Sequence, residues 1–236
     1  MSSGRTYPRR GLHGEVVHLI GLGILRGDLR PGELLPNEDQ LSSELAVSRT
    51  VLREAVKVLT AKGLVKSRPK TGTRVQERTE WNLLDPDVLA WRIEAGPDSD
   101  FLVEIFFVRR LLEPATARLA AERATDAEIA ELERCFRGME ESVVSPEAYV
   151  AADLQFHTGI YQACHNELLE RIGETLRAAY QASFAFTLRR PGSSVAALPL
   201  HGHVLEAMVA RDGGAAERAM LALLDWTADS YLLPRP

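Results

Sequence analysis

Four polar residues lie on stripes that are otherwise apolar, and all are of types that bind metals or anions. Asp153 and His157 stand one helical turn apart in the series Tyr149, Asp153, Phe156, His157, Ile160 and Cys164, while Gln155, Gly159 and Gln162 take the opposite side. Arg109 steps by three and four with Leu102, Ile105, Leu112 and Thr116. His201 does so with Leu198, Leu205 and Met208, whereas His203 falls beside Leu200 and Ala207. Burying a carboxylate, a guanidinium and two imidazoles is costly unless they pair, hold a metal or receive a ligand. Three outcomes stay open: Arg109 ion-paired with Asp153 beside hydrogen-bonded histidines, a metal site, or a clamp for an anionic molecule. Three separate helices supply the groups, which is how helical bundles build interior sites.

A second set is cationic and faces outward. Arg49, Arg53 and Lys57 recur at i, i+4 and i+8, opposite Leu52, Ala55, Val56 and Leu59. Laid in a major groove, such a face aims guanidinium groups at guanine O6 and N7 and at phosphates; on an ordinary helix it is simply solvated. All four lysines, Lys57, Lys62, Lys66 and Lys70, crowd the same stretch, where they would supply phosphate affinity more than base choice.

The elements that must position these residues are mostly helices. Leu12, Val16, Leu19, Ile20 and Ile24 predict a first helix ending at Gly27-Asp28. Asn37 caps a short second helix carrying Leu41 and Leu45, and Ser48 caps a third that stops at Gly63. The period then changes: Leu64 to Arg68, the turn Pro69-Lys70-Thr71-Gly72, and Thr73 to Gln76 predict a hairpin. Helix, turn, helix and hairpin together make a winged helix-turn-helix. Asp85 and Pro86 open a short linking helix. From Asp100 onward the chain reads as helix after helix, with a capping box at Thr125-Asp126-Ala127-Glu128 and starts at Ser145-Pro146 and near Asn166. The fold class expected is mainly α, a winged helix joined to an all-α antiparallel bundle. Its divisions are an arm at 1–10, a DNA-binding domain at 11–78, a linker at 79–99 and an effector-binding and dimerisation domain at 100–236.

Composition agrees with two such domains. The 236 residues are 45% hydrophobic and 26% charged, which excludes wholesale disorder. The net charge of -5 hides a split: residues 1–80 hold 14 Lys+Arg against 9 Asp+Glu, and residues 81–236 hold 14 against 24, or +5 beside -10. A basic module that meets an anionic polymer, carried by an acidic body, accounts for this. Cys135 and Cys164 form no CxxC pair, so neither a disulfide framework nor a zinc ribbon is indicated. No stretch approaches the roughly 18 apolar residues of a membrane span, and a cytoplasmic protein is expected.

GDLRPGELLPNEDQL, AVSRTVLREAVKVLTAKGLV and TGTRV resemble, in order and spacing, the winged-helix domain of the GntR transcription-regulator family over nearly all of residues 11–76. The resemblance implies that Ser48, Arg49, Thr50 and Arg53 contact DNA, with Thr71 and Gly72 at the wing tip approaching the minor groove. Asp39 departs from it, standing where many relatives carry a basic phosphate contact. LLEPATARLAAERAT, DLQFHTGIYQACHNELL and HGHVLEAMVARD look like the all-helical (FCD) effector domain of the FadR-type branch, over about residues 100–232. In that branch an Asp-x3-His pair and two later histidines hold a divalent metal of zinc, nickel or manganese type, against which small carboxylates bind. Carried over, Asp153, His157 and His201 match three ligands, and the fourth position falls at Leu223, which cannot coordinate. His203 could replace it only if the helix turned there. Three ligands still suit an ion with open positions; the alternative is a metal-free pocket in which Arg109 and the histidines clamp the acid directly. The linker WNLLDPDVLAW resembles relatives responding to sugar acids such as galactonate.

The function expected is a transcription regulator, a repressor, bound as a homodimer to a palindromic operator and answering to a small carboxylate at Arg109, Asp153, His157 and His201. No enzyme activity, organic cofactor or membrane partner is expected. Two alternatives differ in class: a metal-dependent hydrolase built on Asp153, His157 and His201, and a DNA-binding dimer without an effector.

Overall fold

A computed structural model describes residues 11–69, 71–96 and 99–231. The arm at 1–10 and Lys70 lie outside the described residues. Contacts divide the chain between residues 97 and 98 into two compact units.

The first unit is built on α1 (Leu12–Arg26), α2 (Glu38–Glu44) and α3 (Arg49–Ala61). Helix α1 ends because Gly27 takes a left-handed conformation, φ 84°, that returns its N–H to the last turn. Its buried arc is Val16, Val17, Ile20 and Ile24, whereas Leu12 and Leu19, expected inside, are more than half exposed. The tight helix-to-helix approach explains the rotation: a Cβ at Gly21 would stand 2.6 Å from the Trp91 ring. The Asn37 and Ser48 side chains cap α2 and α3 by accepting from the backbone N–H of Gln40 and Val51. The Gln40 side chain does not reach back to complete a capping box; it donates to Glu44 instead.

Strands β1 (Val65–Arg68) and β2 (Gly72–Val75) pair antiparallel, with Val65 opposite Val75, as the expected wing. Gly72 sits at φ 87°, where a side chain would be strained. Segment 32–35 lines the outer edge of β2 through an isolated bridge of Leu34 to Arg74, with Val75 donating to Glu33 and Leu35 to Thr73 at 2.8 Å each. Segment 79–99 holds α4 (Pro86–Glu94), capped by Asp85 and packed on α1.

Lys62 corrects the picture of one basic surface. It is 2% exposed, with its ammonium 2.8 Å from Asp85 and 2.7 Å from Asp87. It therefore ties α3 to the start of α4, and among the described lysines Lys57 and Lys66 are exposed.

The second unit is a bundle of six helices among the described residues: α5 (Ser99–Arg123), α6 (Asp126–Glu141), α7 (Pro146–Ala163), α8 (Glu167–Thr187), α9 (Ser193–Val209) and α10 (Gly213–Tyr231). Thr125 and Glu128 close the expected capping box on α6. Phe156, Ile160, Val204, Met208, Met220 and Leu224 are among the residues filling the core between α5, α7, α9 and α10. Gly159 lies against α6, where a Cβ would press 2.8 Å from Leu132, a buried member of the same core. Helix α9 starts six residues before Pro199, so the proline sits inside the helix at the cost of one backbone bond. Among the described residues no helix is long and apolar enough to cross a membrane.

Candidate metal and effector site, and a candidate DNA-binding face

Inside the bundle, α7 presents Asp153 and His157, α9 presents His201 and α5 presents Arg109, each 7% exposed or less. The interior placement follows from the stripes: Asp153 and His157 share an arc with Tyr149, Phe156 and Ile160, His201 with Val204 and Met208, and Arg109 with Leu102, Ile105 and Thr116, all buried. His203, on the other arc of α9, is exposed. Three ligand atoms converge: Asp153 Oδ1 lies 3.2 Å from His157 Nε2 and 3.2 Å from His201 Nε2, and the two nitrogens are 3.4 Å apart.

The tautomers follow from the far sides of the rings. His201 Nδ1 lies 3.0 Å from the Ala197 carbonyl, which only accepts, so this nitrogen carries the proton. His157 Nδ1 faces Glu113 Oε2 at 2.9 Å, an acceptor again, although off the line of a good hydrogen bond. With both rings neutral, two bare nitrogens face a carboxylate oxygen that accepts no hydrogen bond. Such a cluster needs a cation between its members, either a proton or a metal. Ligands about 2.0–2.2 Å from one ion stand about 3–3.5 Å apart, which these separations match. Asp153, His157 and His201 therefore fit a divalent metal, and Glu113 supplies the outer carboxylate that orients a ligating imidazole.

Glu113 is the residue the sequence reading leaves out. It takes Arg109, Nε donating to Oε1 at 2.8 Å, in place of the Arg109–Asp153 pair considered above. Burial alone would raise the Glu113 carboxyl, but the Arg109 and His157 charges hold it down to about 2. Burial disfavours a charged His157, yet Glu113 and Asp153 outweigh it and push the imidazole up to about 9. Asp153 is held below the usual carboxylate range; its burial is overcome by His201 and His157. The Arg109 guanidinium stacks 4.4 Å from the Phe184 ring and donates weakly, at 3.4 Å, to Ser183. The same cavity is lined by Tyr149, Trp226 and Thr227, and by Leu223, the residue at the fourth-ligand position.

On the first unit Ser48, Arg49, Thr50, Arg53, Lys57, Thr71 and Gly72 are all exposed. Ser48 Oγ is engaged as the α3 cap. The cations are not bare: Arg49 pairs with Asp39 at 2.9 Å, Arg53 with Glu38 at 2.9 Å and Lys57 with Glu54 at 2.7 Å. Two of these carboxylates come from α2, so the helix-turn-helix itself holds both arginines on the outer face of α3.

A winged helix-turn-helix followed by a helical bundle with a buried polar cavity is the build of a DNA-binding regulator that answers to a ligand. Residues 12–75 match the family described as bacterial regulatory proteins, gntR family, and residues 104–225 match the FCD domain. The chain is similar to the galactonate operon transcriptional repressor of Escherichia coli, 34% identical over 89% of this chain and 92% of that one. It is also similar to the HTH-type transcriptional regulator LutR of Bacillus subtilis, 32% identical over 85% of this chain and 92% of that one. Among solved structures, Lar of Listeria monocytogenes has the same fold, with a TM-score of 0.65 at 19% identity over 95% of this chain and 98% of that one. The chain belongs to the GntR family of transcription regulators and carries an FCD domain. It is a regulator and not an enzyme, which removes the hydrolase alternative.

Proposed function

We propose that this chain is a repressor that binds a pseudo-palindromic operator as a homodimer and releases it when a small hydroxylated carboxylate of the sugar-acid class enters the bundle cavity. The observation that carries the reading is the convergence of Asp153, His157 and His201 on one point, with Asp153 Oδ1 standing 3.2 Å from the Nε2 atom of each imidazole. These residues would hold a zinc-, nickel- or manganese-type ion, which when bound supplies a Lewis-acid contact for a carboxylate oxygen. Charge counting favours it. Arg109 against Glu113 and Asp153 leaves the cavity one negative charge when both imidazoles are neutral, and a dication makes it one positive, so that it attracts an anion. Arg109 takes part through Nη1, whose 3.4 Å bond to Ser183 is easily exchanged for a carboxylate. The galactonate repressor likeness supports both the repressor and the acid.

On DNA, Arg49 and Arg53 read bases with Ser48 and Thr50 beside them, Lys57 and Lys70 meet phosphates, and Thr71 and Gly72 enter at the wing tip. Two-fold symmetry is the usual match of such a domain to its site. The exposed pair Phe107 and Leu111 on α5, 59% and 75% accessible, supports burial against a second copy. Acting on the chromosome places the protein in the cytoplasm. The test is a mobility-shift titration of DNA from upstream of the chain's own gene at several salt concentrations. Affinity should fall steeply with salt and exceed that for unrelated DNA by at least about a thousandfold; equal affinity for both would remove the reading.

A further inference from the structure

Tyr149 opens α7 one turn before Asp153, and its side chain is fully buried. Tyr149 lines the cavity with Arg109, Asp153, His157 and His201, and its buried hydroxyl makes no hydrogen bond. A buried hydroxyl without a partner is destabilising, and folded chains rarely leave one. The contrast lies in the same bundle: Tyr161 of α7 and Tyr180 of α8 are also buried, and they bond each other at 3.0 Å. Tyr149 keeps its proton, because burial and then the Asp153 charge both disfavour the phenolate, so what it offers is a donor. The wall at the fourth-ligand position cannot accept that proton, since Leu223 is a hydrocarbon. Phe at this place would fill the same space without the uncompensated oxygen.

We infer that the Tyr149 hydroxyl is a binding contact for the effector, donating to a hydroxyl or carboxylate oxygen of the bound acid and selecting against acids that place a methyl or methylene group there. It rests on the reading of the cavity as the acid's site. A site built around one hydrogen bond discriminates by leaving its own polar group unpaired when the wrong molecule enters. That cost is already visible in the ligand-free chain, so the bond is gained on binding and not exchanged for another within the protein.

The experiment compares the full-length wild type and Tyr149→Phe, both loaded with Zn²⁺, by calorimetric titration with galactonate, lactate and citrate. It adds the zinc affinity and the melting temperature of each ligand-free protein. The variant should bind the acids about 10- to 100-fold more weakly, the loss of one charge-assisted bond. Its zinc affinity should be unchanged, and its ligand-free melting temperature equal to or above that of the wild type. If the wild type binds an acid and the variant binds it equally well, the hydroxyl meets only solvent and the role of Tyr149 alone falls. A lower ligand-free melting temperature in the variant would mark a structural phenol and overturn it too. If the metal-loaded wild type binds none of the three acids, the reading of the cavity falls and Tyr149 with it.

Discussion

Glu113 engages Arg109 and His157 together, and that choice leaves Asp153 facing two ring nitrogens rather than a guanidinium. A proton satisfies the cluster when no metal does. Free His157 would titrate near 6.5, and in the fold it is pushed up to about 9. The stability its charge contributes is therefore fully present below about pH 6.5 and is lost as pH rises through about 9. Metal-free protein should lose melting temperature across that window, and Zn²⁺ binding near neutral pH should release about one proton. Calorimetry in buffers of different ionisation enthalpy measures this; no proton release would contradict the assignment of His157 as a ligand. Periodicity reveals Asp153, His157, His201 and Arg109, because a polar residue on an apolar arc stands out. It does not single out Glu113, since Leu112 occupies the neighbouring slot of the α5 arc and completes the stripe without it. Nor does it reveal that Asp39 and Glu38 hold Arg49 and Arg53, a tertiary contact between two helices. Asp39→Ala should raise non-specific DNA affinity roughly 2- to 10-fold by freeing Arg49 and removing a charge near the phosphates, and so lower the ratio of operator to non-specific affinity. Unchanged binding in anisotropy titrations would mean that the pair does not persist on DNA.

At the level of elements, caps and breakers carry most of the legible information. Asn37, Ser48, Asp85 and Thr125 all accept backbone hydrogen bonds where expected, because a cap is a local bargain between one side chain and its own next turn. Elements decided by distant partners are harder to read. Pro199 signals a boundary, yet α9 runs through it because Ala197 and His201 on either side are buried. The strand-like segment 32–35 has no alternation of its own and is fixed by β2. Lys62 looks like one more basic residue until α4 brings Asp85 and Asp87 to it. Removing one partner of a buried ionic cluster costs about 3–5 kcal/mol, because the carboxylates left behind are unpaired. Lys62→Ala should therefore shift the unfolding of the winged-helix unit to markedly lower urea. An unmoved transition would mean that solvent compensates the two aspartates.

Over the whole molecule, the split between a basic first third and an acidic remainder describes two tasks and not the interior of either unit. The charges that matter inside the bundle are few, and they balance only with a cation present. An effector regulates DNA binding only if it binds the DNA-competent and DNA-incompetent states with different affinity, and a released repressor requires that it favour the second. In the function proposed, that differential arises at the cavity of Asp153, His157 and His201. The most direct test is operator binding by the full chain, followed by anisotropy during titration with galactonate, with the protein zinc-loaded or metal-stripped. Operator affinity should fall at least about tenfold on adding the acid to zinc-loaded protein, and should not respond in metal-stripped protein. The same release by the acid in metal-stripped protein would contradict it.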